Sequence, residues 1–245
     1  MRIKAVLQYD GSNYFGFQVQ SSKDEKSIQG EIETVLSKIF NTSIRISASG
    51  RTDKGVHALK QVMHFDVDSL NSDLNRIKYS MNLMLPKDIN IISLERVDDS
   101  FHSRYSATGK HYRYIISLKD NPFLINHALI YHFPIDIDLI KEGMKLFIGT
   151  HNFINFCSIR DFDTNFEENI KDFTLTQKDE LLIFDIYGSG FKRYMVRMII
   201  GTLLMLGRKK IDLSYINEHL NGNIKDPIPY KVDPQGLYLV EVFYD

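Results

Sequence analysis

The sequence predicts an α+β fold: two ferredoxin-like halves, each β-α-β-β-α-β, forming a joined antiparallel sheet with helices on one face and a central cleft. Three observations predict it. Strand-like alternation and helical periodicity succeed one another in the same order twice along the chain, without visible sequence repetition. A polar stretch at residues 98–110 separates the two runs. The 245 residues are enough for two compact halves with ample core, expected at 1–105 and 106–245.

In the first half, residues 2–9 alternate as a strand. A helix follows at 28–40, with Ile28, Ile32, Val35, Leu36 and Ile39 on one face and Ser27 as N-cap. Strands at 43–49 and 61–67 flank a loop at 50–58. A second helix at 73–85 stops at Pro86, and a strand at 89–97 closes the unit. In the second half, a strand at 112–117 is expected to pair with 129–133. A helix at 138–148, strands at 172–176 and 181–187, a long helix at 191–206 and a last strand at 237–243 complete it.

Composition narrows the class of protein. A hydrophobic fraction of 43% with 25% charged residues is that of a globular chain. The longest apolar run, 195–206, is too short to span a membrane and holds Arg197, so no membrane association is expected. Residues 1–7 begin with charge but lack the apolar region and cleavage site of a signal peptide. The single Cys157 excludes an internal disulfide and a cysteine zinc site, which fits a reducing cytoplasm. Formal net charge is −1, yet bases gather at Lys192, Arg193, Arg197 and 208–210, so one basic face is compatible with an RNA partner. Acids gather at 161–168, expected as a solvated loop.

The chemistry concentrates at Gly50-Arg51-Thr52-Asp53-Lys54-Gly55-Val56-His57-Ala58. One carboxylate, two fixed cations and an imidazole share a short loop with glycines at both ends. Read alone, Asp53 is a turn aspartate capping its own loop. A catalytic role needs a partner, and Arg197 is a candidate: its helix is apolar on nearly all sides, and a buried guanidinium is costly unless paired. A structural salt bridge satisfies Arg197 equally well on this reading. Tyr112 and Tyr114 alternate on one strand face, suited to cross-strand packing or to stacking on a base. His57 with Asp53 makes only two metal ligands, so no metal is expected. Gly188-Ser189-Gly190 before a helix would suit an anion or simply a tight turn. Tyr14-Phe15-Gly16-Phe17 and His151-Asn152-Phe153 read as packing.

Seven segments in order resemble the tRNA pseudouridine synthase A family over nearly the whole chain. They are the 9–20 opening, Ser27-Ile28-Gln29-Gly30-Glu31, the 50–58 loop, Phe101-His102-Ser103-Arg104-Tyr105-Ser106-Ala107, Lys110-His111-Tyr112-Arg113-Tyr114, 190–197, and Gly236-Leu237-Tyr238-Leu239. The resemblance implies an isomerase that converts uridine to pseudouridine in the tRNA anticodon stem-loop, at tRNA positions 38, 39 and 40, without a cofactor. It implies Asp53 as the essential carboxylate, acting by attack at C1′, attack at C6 or removal of the C2′ proton. Arg197 would pair with it, Tyr112 would stack on the base, Leu237 and Leu239 would wall the pocket, and Arg51 would hold the flipped nucleotide. It also implies a homodimer binding tRNA. The chain departs from the family at Lys192, Arg193, Asn152 and the acidic 161–168 segment.

Overall fold

The computed structural model describes residues 1–20, 25–70, 72–158, 165–224 and 226–245. The fold is α+β, and the chain divides into two compact units, Met1–Thr108 with Tyr238–Asp245, and Gly109–Leu237.

The first unit runs β1 (Arg2–Tyr9), α1 (Ile28–Phe40), β2 (Ile46–Ala48), β3 (His57–Asp66), α2 (Leu74–Met84) and β4 (Ile89–Val97). Along β1, every second side chain (Ile3, Ala5, Leu7, Tyr9) is buried, the signature of a sheet covered on one side. β1 lies between β3 and β4, antiparallel to both. The other edge of β3 is shared. β2 pairs with its far end, Ile46 opposite Phe65, and β10 (Leu237–Tyr244) pairs in parallel with its near end, Tyr238 opposite His57. Ser27 caps α1 by accepting from the Gly30 N–H, and Asn41 in the left-handed region ends it. Buried Glu33 then ties α1 to β2, accepting from the Ile46 N–H at 3.1 Å and pairing with Arg45 at 2.8 Å. Asp73 caps α2, and Leu85, extended before Pro86, ends it. α2 packs beside α1 and over β4.

The second unit runs β5 (Ala107–Ser117), β6 (Leu129–Ile130), α3 (Ile137–Lys145), β7 (Gly149–Asn152), β8 (Glu167–Lys178), β9 (Leu181–Gly188), α4 (Met195–Gly207) and α5 (Leu213–Leu220). Its sheet is antiparallel from β5 through β9 and β8 to β7, with β6 alongside the end of β5. α3 packs on α4, which is buried on almost every side, as its composition predicts.

Several expectations need correction. β3 begins at His57, so the loop ends at Val56 and the imidazole belongs to the strand. The 191–206 helix starts only at Met195, because Tyr194 takes a left-handed φ of 66° immediately before it. Gly188-Ser189-Gly190 therefore does not open a helix. A Cβ on Gly190 would lie 2.8 Å from a Glu168 carboxylate oxygen, and the Ser189 hydroxyl donates to the same group, so an anion is disfavoured there. The acidic segment is not wholly a solvated loop. Phe166 is buried, Glu167 and Glu168 begin β8, and Glu168 pairs with Lys192 at 2.8 Å. Residues 161–164 lie outside the described residues. β7 and α5 were not foreseen, although Asp212 caps α5 and Ile216 and Leu220 form its buried face.

The 101–106 segment is fixed to β3 through a buried histidine. The Ser103 hydroxyl donates to the Ser47 carbonyl at 2.7 Å, and its N–H donates to His64 Nδ1 at 3.2 Å. Ser103 Oγ also lies 2.9 Å from Nδ1 of the buried His64. Burial, reinforced by the charges of Arg2 and His102, lowers its pKa from 6.5 to about 4. Between these values the unfolded chain binds a proton that the folded chain refuses, so His64 lowers stability as pH falls through that window. Urea midpoints measured from about pH 7.5 down to about pH 4 should fall, and His64→Gln should flatten that slope.

Candidate active site

The Asp53 loop is held from three sides within the first unit. At its start, the Gln61 amide donates to the Gly50 carbonyl at 3.1 Å. In its middle, Thr52 shares a hydrogen bond with the Tyr9 phenol at 2.8 Å, and its carbonyl accepts from the Phe17 N–H at 3.0 Å. At its end, the Val56 N–H closes a turn on the Asp53 carbonyl at 3.1 Å, with Gly55 at a φ of 77°. Asp53 itself is half-buried, while Arg51 and Lys54 are exposed. Lys54 Nζ lies over the Phe15 ring, 3.9 Å from its centre.

The N-terminal 9–17 segment is the other wall of this loop. A Cβ on Gly11 would stand 2.0 Å from the Val56 carbonyl oxygen, and one on Gly16 would stand 2.8 Å from the Thr52 oxygen. Gly16 also has a φ of 100°. Two backbones therefore touch where no larger residue fits. Tyr14 and Phe17 are core residues, as their composition suggests, while Phe15 stays exposed. The scaffolding roles of Tyr9, Gly11, Gly16 and Gln61 were missed by sequence reasoning. The available signal was the glycine spacing after a strand end, which marks close backbone approach.

His57 is buried at the head of β3. Its Nδ1 lies 3.2 Å from the Gly11 nitrogen and 3.0 Å from an Asp10 oxygen, and its ring stacks on Tyr238 at 4.7 Å. The β3–β10 register sets Leu239 opposite Ala58, so this leucine adjoins the exit of the Asp53 loop. It is fully buried.

In the second unit, Tyr112 is buried on β5 and meets Phe191 edge-on at 5.1 Å. Tyr114 is completely buried and donates to the Asp233 carbonyl at 2.6 Å, so its place is in the core. Arg197 is 7% exposed, in the first turns of α4. Its Nε donates to the Val232 carbonyl at 2.8 Å, and the Val232 N–H returns a bond to the Arg197 carbonyl at 3.2 Å. The guanidinium lies 5.1 Å from the Tyr194 ring centre, a ring also approached by Lys231 and Arg193. Gly201 admits the Tyr230 backbone, which a Cβ would meet at 2.9 Å. The 230–232 strap can thus reach α4 and hold the arginine. Leu237 is buried after a short 3-10 turn at Pro234–Gly236.

The glycine contacts give a graded test. Gly11→Ala should destabilise the fold by roughly 2–4 kcal/mol, because the clash is with backbone that cannot turn aside. Gly222→Ala, at a φ of 74° with nothing near its Cβ, should cost only about 1 kcal/mol. Chemical denaturation of both variants measures the difference.

Comparison with known proteins places this arrangement in a family. A family model described as tRNA pseudouridine synthase matches residues 5–106 and 144–245. These spans contain Arg51, Asp53, Arg197, Leu237 and Leu239; Tyr112 falls between them. The tRNA pseudouridine synthase A of Geobacillus sp. (strain WCH70) is 38% identical over 247 residues, covering 100% of this chain and 98% of the relative. The protein of the same name from Listeria monocytogenes serotype 4b (strain CLIP80459) is 39% identical over 254 residues, covering 100% and 99%. That from Streptococcus uberis (strain ATCC BAA-854 / 0140J) is 37% identical over 252 residues, covering 100% and 98%. With end-to-end likeness to such relatives and a family model matching both units, the chain belongs to the tRNA pseudouridine synthase family.

Proposed function

We propose that the protein is an isomerase that converts uridine to pseudouridine in tRNA, acting in the anticodon stem-loop at positions 38, 39 and 40. The observation that carries this reading is full-length membership in the family combined with Asp53 on a loop anchored at Gly50, Thr52 and Val56. The reaction breaks the bond between ribose C1′ and uracil N1 and makes one between C1′ and C5. The C5 proton is lost and N1 gains one, so no electrons are exchanged with a cofactor. A carboxylate and an apolar slot are sufficient equipment. A base paired in the stem must first leave its stack, at a cost of a few kcal/mol that stacking and phosphate contacts offset.

In this reading the halves 1–105 and 106–245 both contribute. Asp53 starts the exchange, Arg197 is the cation for its carboxylate, Tyr112 carries the base, Leu237 and Leu239 exclude water, and exposed Arg51 holds the displaced nucleotide. In support of the role of Arg197, its guanidinium is buried and Val232 accepts from Nε, which orients the fork. Tyr112 rests on the Lys110-His111-Tyr112-Arg113-Tyr114 segment alone. The reading extends to a homodimer working in the cytoplasm, in line with the single, buried Cys157.

Incubation of unmodified tRNA with wild type should yield pseudouridine, mapped by carbodiimide-dependent reverse-transcription stops, and Asp53→Asn should yield none. Stops appearing equally with both proteins, or with neither, would sink the assignment. EDTA should leave the rate unchanged, whereas a metal-dependent nuclease built on Asp53 and His57 would lose activity. Arg197→Met should abolish product and also cost about 1.5–3 kcal/mol of stability, the worth of a charge-assisted bond to the Val232 carbonyl. A folded, active Arg197→Met protein would show that Asp53 does not depend on it.

A further inference from the structure

Beneath the Asp53 loop lie two sets of buried neutral polar groups that no step of the reaction uses. Gln61 is 0% exposed and Tyr9 4% exposed, inside an otherwise apolar stretch of β1 and β3. The Gln61 Oε1 accepts from the Ser49 hydroxyl at 2.7 Å and from the Val62 N–H at 3.1 Å, which fills both of its lone pairs. The other end of the amide donates to the Gly50 carbonyl at 3.1 Å. The Tyr9 phenol shares a hydrogen bond with Thr52 Oγ1 at 2.8 Å. Burial raises the Tyr9 pKa to about 12, so the phenol stays a neutral donor at any working pH.

Gln61 thus ties Ser49 to the Gly50 carbonyl, and Tyr9 ties β1 to Thr52, the residue before Asp53. Burying so many polar groups is tolerable only when all are satisfied, and an apolar core would serve stability as well. What an apolar core could not do is set the loop's height and rotation at two points, Gly50 and Thr52. Resting on the isomerase reading above, we propose that Tyr9 and Gln61 are positioning residues for Asp53, acting through Thr52 and Gly50. They touch no substrate. Displacement of a reacting group by about 1 Å costs on the order of a hundredfold in rate, so loosening either anchor should slow the chemical step.

The test is a double-mutant cycle in the full chain, read by single-turnover conversion of an unmodified tRNA transcript with enzyme in excess. Tyr9→Phe and Thr52→Val each remove one partner of a single hydrogen bond while keeping shape. Each should lower the maximal rate about tenfold, leave the half-saturating enzyme concentration within about twofold, and the double variant should be no slower than either single. Thr52→Ser should restore the rate, and Gln61→Met should lower it as Tyr9→Phe does. An undiminished rate in Tyr9→Phe, losses that multiply in the double variant, or a change confined to half-saturation would each overturn the proposal. So would loss of the cooperative thermal transition in Tyr9→Phe, which would make the pair a fold element instead. If the wild type itself forms no pseudouridine, the function fails first and this role falls with it.

Discussion

Two backbones lying closer together than any side chain permits are what the candidate site depends on. Gly11 against Val56 and Gly16 against Thr52 bring the 9–17 segment onto the Asp53 loop. Loops are ordinarily the mobile parts of a fold. Here the loop packs against a second irregular segment, itself anchored at the end of β1. Shape and hydrogen bonding together set where the Asp53 loop stands.

The second unit handles a different problem, that of a cation inside an apolar helix. Arg197 is buried among Val196, Met198 and Ile200, where an unsatisfied guanidinium would cost several kcal/mol. The solution is a reciprocal pair of bonds with Val232, admitted by the absent side chain of Gly201. Tyr194 adds its ring face, and its left-handed backbone turns the chain sharply into α4. Such a conformation is uncommon for a bulky residue and is sustained only by surrounding structure. A strap distant in sequence thus helps to orient the arginine.

Most regular elements were legible because they obey one period over enough residues: β1, α1 and β4 fall at their expected bounds, and the Ser27 cap is as read. Misreadings cluster where long-range contacts overrule local pattern. α4 starts only at Met195 because Tyr194 takes a left-handed backbone, a turn that the apolar pattern of 191–206 does not reveal. β3 began early because pairing with β10 extends it beyond its own alternation. At the site, the residue types of the Asp53 loop were legible, and so was the need of Arg197 for a partner. The supports were not. Gln61 resembles any strand glutamine, and Tyr9 any strand tyrosine, until their fold neighbours at Ser49, Gly50 and Thr52 are known.

The parallel pairing of β10 with the head of β3 has a consequence for the order of synthesis. Most of the first unit is translated before the second, yet the strand that covers His57 and Ala58 leaves the ribosome only after residues 109–237. Until then the near half of one β3 edge stays open, the His57 ring lacks Tyr238, and Leu239 is missing beside the loop exit. A nascent chain thus carries the Asp53 loop early but in an unfinished setting. Closure waits on the whole of the intervening unit, so that completion of this edge is timed by the synthesis of β10.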